Sequence, residues 1–266
     1  MIMLNVTRRH IIYDYIKSKG NVTVSELQKK LDVSDMTIRR DLSAMESEGL
    51  LKRVHGGATV AEILSTNEST FLNRTVLNQE LKIKIARCAL DLIQKDDTVF
   101  IDASSTCSEL ANLIQPDMNI TVFTNSFDVI NKLRKKAGVN VISLGGQLAA
   151  DDNTFDGLIA VETAERIRVN KCFFSGASFQ INGVYNAGIV GTAIKKMMIK
   201  NARTKFLIAD STKYNGPGVM ELCKWQDIDV FITDSNFALK DRYLLREQGV
   251  KIQIVEVSIS DDLKRR

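Results

Sequence analysis

Apolar residues in the first fifth of the chain recur at helical spacing in three short blocks. Residues 7–19 put Ile11, Ile12, Tyr15 and Ile16 on one face and are closed by Gly20. Residues 23–31 align Val24, Leu27 and Leu31, and residues 33–46 align Ile38, Leu42 and Met45 at i, i+4 and i+7. Local signals mark the ends: Thr23-x-x-Glu26 reads as a capping box, Ser34 as an N-cap and Gly49 as a C-terminal stop. Asp32-Val33 is then a tight turn between two helices. Residues 50–54 read as an apolar-basic strand, Gly56-Gly57 as a turn whose paired glycines let it sit close to a backbone, and the chain to Val60 as a returning strand. Residues 61–78 show no period and are rich in Ser, Thr, Asn and Glu, so they form a linker, partly helical.

From residue 79 the pattern changes. Leu81, Ile85, Ala89 and Ile93 keep a helical spacing, after which short β-rich apolar runs at 98–102, 120–125, 139–144, 172–176, 205–210, 230–234 and 250–257 appear. Helical stretches around 108–114, 127–136, 160–167, 191–202 and 238–248 separate most of them. Strand-helix alternation predicts a parallel sheet covered on both faces. The fold class is therefore α/β: a small N-terminal winged helix-turn-helix over residues 5–60, the linker at 61–78, and a larger C-terminal α/β domain with a mostly parallel sheet over 79–260.

The third block has a second face. Met36, Thr37, Arg39, Arg40 and Ser43 fall on the arc opposite the apolar stripe, as in a helix-turn-helix whose second helix enters a major groove. An ordinary solvated helix face is the alternative. Charge adds to the picture: residues 1–58 carry ten Lys or Arg against seven Asp or Glu, so +3 of the whole chain's +4 lies there, as phosphate neutralisation requires. Lys52, Arg53 and His55 of the wing can reach phosphates or a minor groove, although His55 also fits a surface turn. With Thr23 and Ser34 at the helix starts, these ten residues are the candidate DNA contacts.

Composition limits the remaining classes. An apolar fraction of 44% with 26% charge is that of a globular protein, and no run reaches the roughly 18–20 apolar residues of a membrane span. The first residues lack the features of a signal peptide, so a cytoplasmic location with no membrane partner is expected. Cys88, Cys107, Cys172 and Cys223 are scattered, which implies neither zinc nor disulfides; no cofactor is called for.

Small polar residues gather where the C-terminal strands end. Asp102-Ala103-Ser104-Ser105-Thr106 runs from a strand straight into a helix, where N–H groups favour a phosphate. Thr124-Asn125-Ser126, Leu144-Gly145-Gly146 and Ala209-Asp210-Ser211-Thr212-Lys213 are similar, and Lys213 adds a cation. Each alone is also an ordinary cap or turn. Four in one sheet predict a pocket for a small phosphorylated compound at the carboxyl ends of the strands.

The motifs resemble one family. Val22-Thr23-Val24-Ser25-Glu26-Leu27, Thr37-Ile38-Arg39-Arg40-Asp41-Leu42 and Lys52-Arg53-Val54-His55-Gly56-Gly57-Ala58, at this separation, are similar to the DeoR family of bacterial transcriptional regulators. The likeness continues through Asp102-x-Ser-Ser-Thr106, Thr124-Asn125-Ser126, Leu144-Gly145-Gly146, Lys195 and Ala209–Lys213, landmarks of that family's effector domain. The resemblance implies a fold related to ribose-5-phosphate isomerase, glucosamine-6-phosphate deaminase and CoA transferases. It also implies a repressor that binds double-stranded operator DNA as a homo-oligomer, dimer or tetramer, and leaves it on binding a phosphorylated sugar or sugar acid. Asp102, Ser104, Ser105, Thr106, Thr124, Asn125, Gly145, Gly146, Lys195, Asp210 and Lys213 are its candidate effector contacts. Two departures put the pocket's shape in doubt: Phe179 stands where the family usually has a second glycine, and Gly191 where a glutamate commonly precedes Lys195 by four residues. A sugar-phosphate isomerase or deaminase is the enzyme alternative, yet residues 59–266 contain no histidine for acid–base work. A DNA-binding protein without a ligand is the third reading.

Overall fold

The computed structural model describes residues 5–47, 51–54, 56–60, 71–149 and 153–257. Gly49, His55, linker residues 61–70 and the last three residues of the expected effector domain lie outside them. Two units separate by their internal contacts, one ending at Leu77 and one running from Asn78 to Val257.

In the first unit α1 (Asn5–Lys19), β1 (Asn21–Thr23), α2 (Val24–Leu31) and α3 (Asp35–Ser47) precede β2 (Leu51–Val54), β3 (Gly57–Val60) and α4 (Phe71–Val76). Gly20, at φ +80°, ends α1 by giving its N–H to the Ile16 carbonyl at 2.8 Å. Thr23 Oγ1 accepts the Glu26 N–H at 3.2 Å while the Glu26 carboxylate accepts the Thr23 N–H at 2.8 Å, which completes the capping box. Asp32 stops α2 in the left-handed region, and Ser34 Oγ accepts the Thr37 N–H at 3.3 Å to start α3. Ile12, Ile16, Val24, Leu27, Leu31, Ile38, Leu42 and Met45 close one core with Leu51 and Ala58. Each such side chain contributes about 1.5–3 kcal/mol of burial. Ile11 and Tyr15 pack at its edge instead of inside it, and the Tyr15 ring carries Lys19 and Lys30 at 4.8 and 4.4 Å. The wing is a three-stranded antiparallel sheet, order β1-β3-β2, with Val22 opposite Ala58 and Lys52 opposite Thr59.

The second unit runs α5 (Gln79–Leu90), β4 (Thr98–Ile101), α6 (Ser105–Leu113), β5 (Ile120–Thr124), α7 (Phe127–Leu133), β6 (Val139–Ser143), β7 (Gln147–Ala149) and β8 (Thr154–Asp156). It continues with α8 (Leu158–Arg166), β9 (Val169–Phe174), β10 (Ser178–Gln180), β11 (Gly183–Asn186), α9 (Ile189–Lys200), β12 (Ala202–Ile208), β13 (Met220–Cys223), β14 (Val230–Asp234), α10 (Leu239–Glu247) and β15 (Lys251–Val255). Seven strands form one wholly parallel sheet, order β15-β14-β12-β9-β4-β5-β6. Successive side chains alternate between its faces: Val99, Ile101 and Phe173 join one core with Ile85 and Leu110, while Phe100, Cys172 and Phe174 join the other with Ile194 and Met198. Burial on both sides is why these strands read as continuous apolar runs. The β7–β8 hairpin and the antiparallel sheet β10-β11-β13 are additions to the expected pattern.

Candidate nucleic-acid interface and effector site

On α3 the stripe of Ile38, Leu42 and Met45 is buried, which turns Met36, Arg39, Arg40 and Ser43 outward and leaves Thr37 half-buried. The two arginines serve different flanks, because successive helical residues are about 100° apart. Arg40 lines a concavity with Arg8, Arg9, Met36 and Thr37, whereas Arg39 lines a groove with Arg53, Val54 and Gly56. Arg39 is also paired to Asp35 one turn back at 2.5 Å, which raises its pKa through the hydrogen bond. The Thr37 hydroxyl lies 2.8 Å from Ser34 Oγ, and the Thr23 hydroxyl is held by Glu26 at 3.0 Å, so all three act in caps. Lys52 and Arg53 are exposed on β2. His55 lies outside the described residues.

Two supports were absent from the sequence reading. Asp41 is buried beneath Arg40 and takes Arg8 Nε at 2.5 Å and Arg9 Nε at 3.5 Å, which pins α1 to α3. Glu46 accepts the Arg53 backbone N–H at 2.8 Å and ties α3 to the wing. An acidic residue directly after two arginines, with another arginine pair upstream, was the available signal for the first. The paired glycines do let the turn sit close to a backbone. A Cβ on Gly57 would sit 2.0 Å from the Val22 carbonyl oxygen, so the close backbone is β1 of the same wing; Gly56, at φ +80° in open space, makes the turn.

The second site follows from strand order. β4 comes first in the sheet's sequence yet lies inside it, with β5 and β6 added on one side and β9, β12, β14 and β15 on the other. At such a switch point the loops leaving neighbouring strands diverge and open a crevice at their carboxyl ends. Asp102 follows β4 and Ser175 follows β9. The Asp102 carboxylate is fully buried and accepts the Ser104 N–H at 2.8 Å and the Ser175 N–H at 3.0 Å, and it pairs with Lys195 Nζ at 3.0 Å. Burial works to raise its pKa, but Lys195 and the surrounding hydrogen bonds outweigh that and hold it below 3.8. Lys195 comes from α9 and also donates to the Ser175 carbonyl at 2.8 Å. Lys213, from the turn after β12, donates to Ser175 Oγ and to the Gly176 carbonyl, both at 2.9 Å. Two lysines from separate elements thus grip one turn. Gly176 has no room for a side chain, since a Cβ would meet Val184 at 2.6 Å and the Tyr185 carbonyl at 2.8 Å. Ser175 and Gly176 were not among the candidates, because their part is set through space.

The other candidates divide. Ser104 caps α6 by accepting the Cys107 N–H at 3.2 Å, Ser105 and Thr106 are buried in its first turn, and Thr106 Oγ1 has no hydrogen-bond partner among the described residues. Asn125 Oδ1, after β5, is likewise buried without a partner among the described residues, whereas Thr124 Oγ1 accepts the Ser126 N–H at 3.0 Å. Gly145 and Gly146 follow β6 at φ +71° and +111°, and a Cβ on Gly146 would lie 2.4 Å from the Asp156 carbonyl, a tight packing contact. Asp210 is buried and caps its own turn through Thr212, with Asn78 reaching both residues.

The two departures from the family pattern have different surroundings. The Phe179 ring is buried in an aromatic cluster with Phe231, Phe237, Tyr214 and Trp225 at 5.0–6.1 Å, because its place in β10 points it into the core. A Cβ on Gly191, one turn before Lys195, would meet only Asn186 Nδ2 among the described residues, at an ordinary 3.7 Å.

Residues 8–63 match the DeoR-like helix-turn-helix domain and residues 77–235 the DeoR C terminal sensor domain. The chain is similar to the uncharacterized HTH-type transcriptional regulator YulB of Bacillus subtilis (strain 168), at 33% identity over 96% of this chain and 99% of that one. It is also similar to a lactose phosphotransferase system repressor of Lactococcus lactis subsp. lactis, at 33% identity over 85% and 90% of the two chains. An L-fucose operon activator of Haemophilus influenzae is 32% identical over 85% and 91%.

Proposed function

Because this chain belongs to the DeoR family of helix-turn-helix transcriptional regulators, we propose that residues 5–60 bind operator DNA and residues 79–260, beyond the linker at 61–78, sense a metabolite that releases the protein from it. In this reading α3 lies in the major groove, with Arg40 and Arg39 serving its two flanks and Lys52, Arg53 and His55 contacting the backbone or the adjacent minor groove. One helix in one groove gives little specificity, so a homo-oligomer, dimer or tetramer, reads spaced half-sites.

The effector is a small phosphorylated sugar or sugar acid. The observation that carries this is the convergence of Lys195 and Lys213 on the Ser175–Gly176 turn, beside the capped start of α6. Two ammonium groups and a helix N-terminus suit an anion. The partnerless Thr106 hydroxyl and Asn125 carbonyl are polar atoms that a ligand can satisfy. Catalysis has less support, since a general base working near neutral pH needs a raised pKa and Asp102 is held low. Release follows if the ligand prefers an arrangement that does not fit DNA. Among the relatives above one is named a repressor and one an activator; we place this chain with the repressors, in the cytoplasm. No helix among the described residues is long and apolar enough to cross a membrane.

A melting-temperature screen of phosphorylated sugars and sugar acids against the purified protein tests the sensor. At least one compound should stabilise it and weaken its binding to DNA from the regulated promoter. A compound that stabilises without changing DNA binding would sink the release mechanism, and stabilisation by no anionic compound would sink the effector site.

A further inference from the structure

Met36 is 80% exposed, as bare as any large apolar side chain among the described residues. It stands second in α3, with Arg39 and Arg40 three and four positions on, and it shares a concavity with Arg8, Thr37 and Arg40. A thioether left in water amid basic groups gains most from a partner that is anionic yet offers one small apolar group. Duplex DNA fits that description in a single way: the apolar group on its major-groove edges is the thymine C5-methyl. The arginines supply charge, and Thr37, its hydroxyl turned to Ser34, offers this face only one methyl on a half-buried residue, so Met36 is the long, exposed apolar reader. An unbranched, polarizable side chain also adapts easily to such a contact. We propose that Met36 reads the C5-methyl of one thymine in each operator half-site and so sets sequence preference there. This rests on the DNA-binding reading above.

The test uses the full chain to enrich duplexes from a randomised library, after which each thymine of the recovered half-site is replaced in turn by deoxyuridine, removing that methyl alone. Wild type should lose affinity about fourfold at one position per half-site, the change that one methyl-sized apolar contact represents. Met36→Ala should melt with wild type, bind the unmodified duplex about as weakly as wild type binds the deoxyuridine duplex, and be indifferent to the replacement. Met36→Leu should keep the sensitivity. Wild type indifferent at every position, or Met36→Ala as sensitive as wild type at the same position, overturns the assignment and leaves DNA binding standing. Recovery of no preferred duplex overturns the DNA-binding reading, and this assignment with it.

Discussion

Asp102 and Lys195 meet at 3.0 Å across the junction of β4 and α9, and both are tied to Ser175: its N–H goes to the carboxylate and its carbonyl to the ammonium. The three residues close a ring at the switch point of the sheet. A fully buried carboxylate is stable there because every partner favours its charged form.

Removing one member should therefore cost more than an exposed ion pair would. Lys195→Ala leaves Asp102 charged and buried without its cation, and about 3–5 kcal/mol of stability should be lost. Urea unfolding measures this. A loss under about 1 kcal/mol would match a surface pair and contradict the geometry.

The same ring sets an acid limit. The Asp102 pKa is lower in the folded protein than its ordinary 3.8, so its contribution is fully present above that value and fades as pH falls through the folded pKa. Unfolding free energies followed from about pH 5 down to about pH 2 should show a shallower acid decline for Asp102→Asn than for wild type. Parallel declines would mean that other carboxylates govern the limit.

Arg39 and Arg40 should separate in DNA binding. Arg40→Ala and Arg39→Ala are each expected to weaken binding by about 1–3 kcal/mol if they read bases, or to lower the salt slope if they touch phosphates. Asp35→Ala, which frees Arg39 from its helical partner, should strengthen binding if Arg39 contacts DNA. Lys29→Ala, exposed on α2, is the control. Unchanged affinity for both arginine variants across a salt series removes α3 from the interface.

Lys213→Ala should weaken effector binding about tenfold or more, as loss of a charge-assisted hydrogen bond implies. DNA binding without ligand should persist. Calorimetric titration beside a gel-shift assay tells a ligand contact from a residue that only braces the Ser175–Gly176 turn, for which affinity for the ligand would not move.

The wing gives a purely steric test. Gly57→Ala drives a Cβ into the Val22 carbonyl, where only backbone can yield, and should cost about 1–3 kcal/mol and loosen the β1–β3 pairing. Gly56→Ala meets no atom and should cost only the left-handed strain of about 1–2 kcal/mol. Amide exchange at Val22 and Thr59 reports the difference: equal protection in the two variants would deny the close approach.

Much of the architecture was legible because burial writes itself as period. Ile38, Leu42 and Met45 announce α3, and strands buried on both faces, such as Val99–Ile101, stand out as unbroken apolar runs. Elements whose apolar content is one or two residues did not: Asn21–Thr23 is a strand only because Gly57 admits it, and Ser178–Gln180 only because Phe179 anchors it in aromatic packing. At the crevice, Asp102 and Lys213 were visible in the strand-end pattern, and Lys195 only through the family resemblance. Ser175, which joins them, works through its backbone as well as its hydroxyl, and no pattern along the chain signals that.

The order of assembly has a consequence in time. α5 opens the second unit, yet Ile85, Ala86 and Ala89 rest on a core that includes Phe206, Ile208, Val230 and Ile232, and the helix touches β12, β14 and β15. Among the described residues the core cluster of the first unit ends at Ala58. On a ribosome adding about 5–20 residues per second, roughly 10–40 s separate completion of the wing from synthesis of β15. A nascent chain therefore carries a finished DNA-reading head while the part that would hear the metabolite is still unmade, and it cannot yet be told to let go.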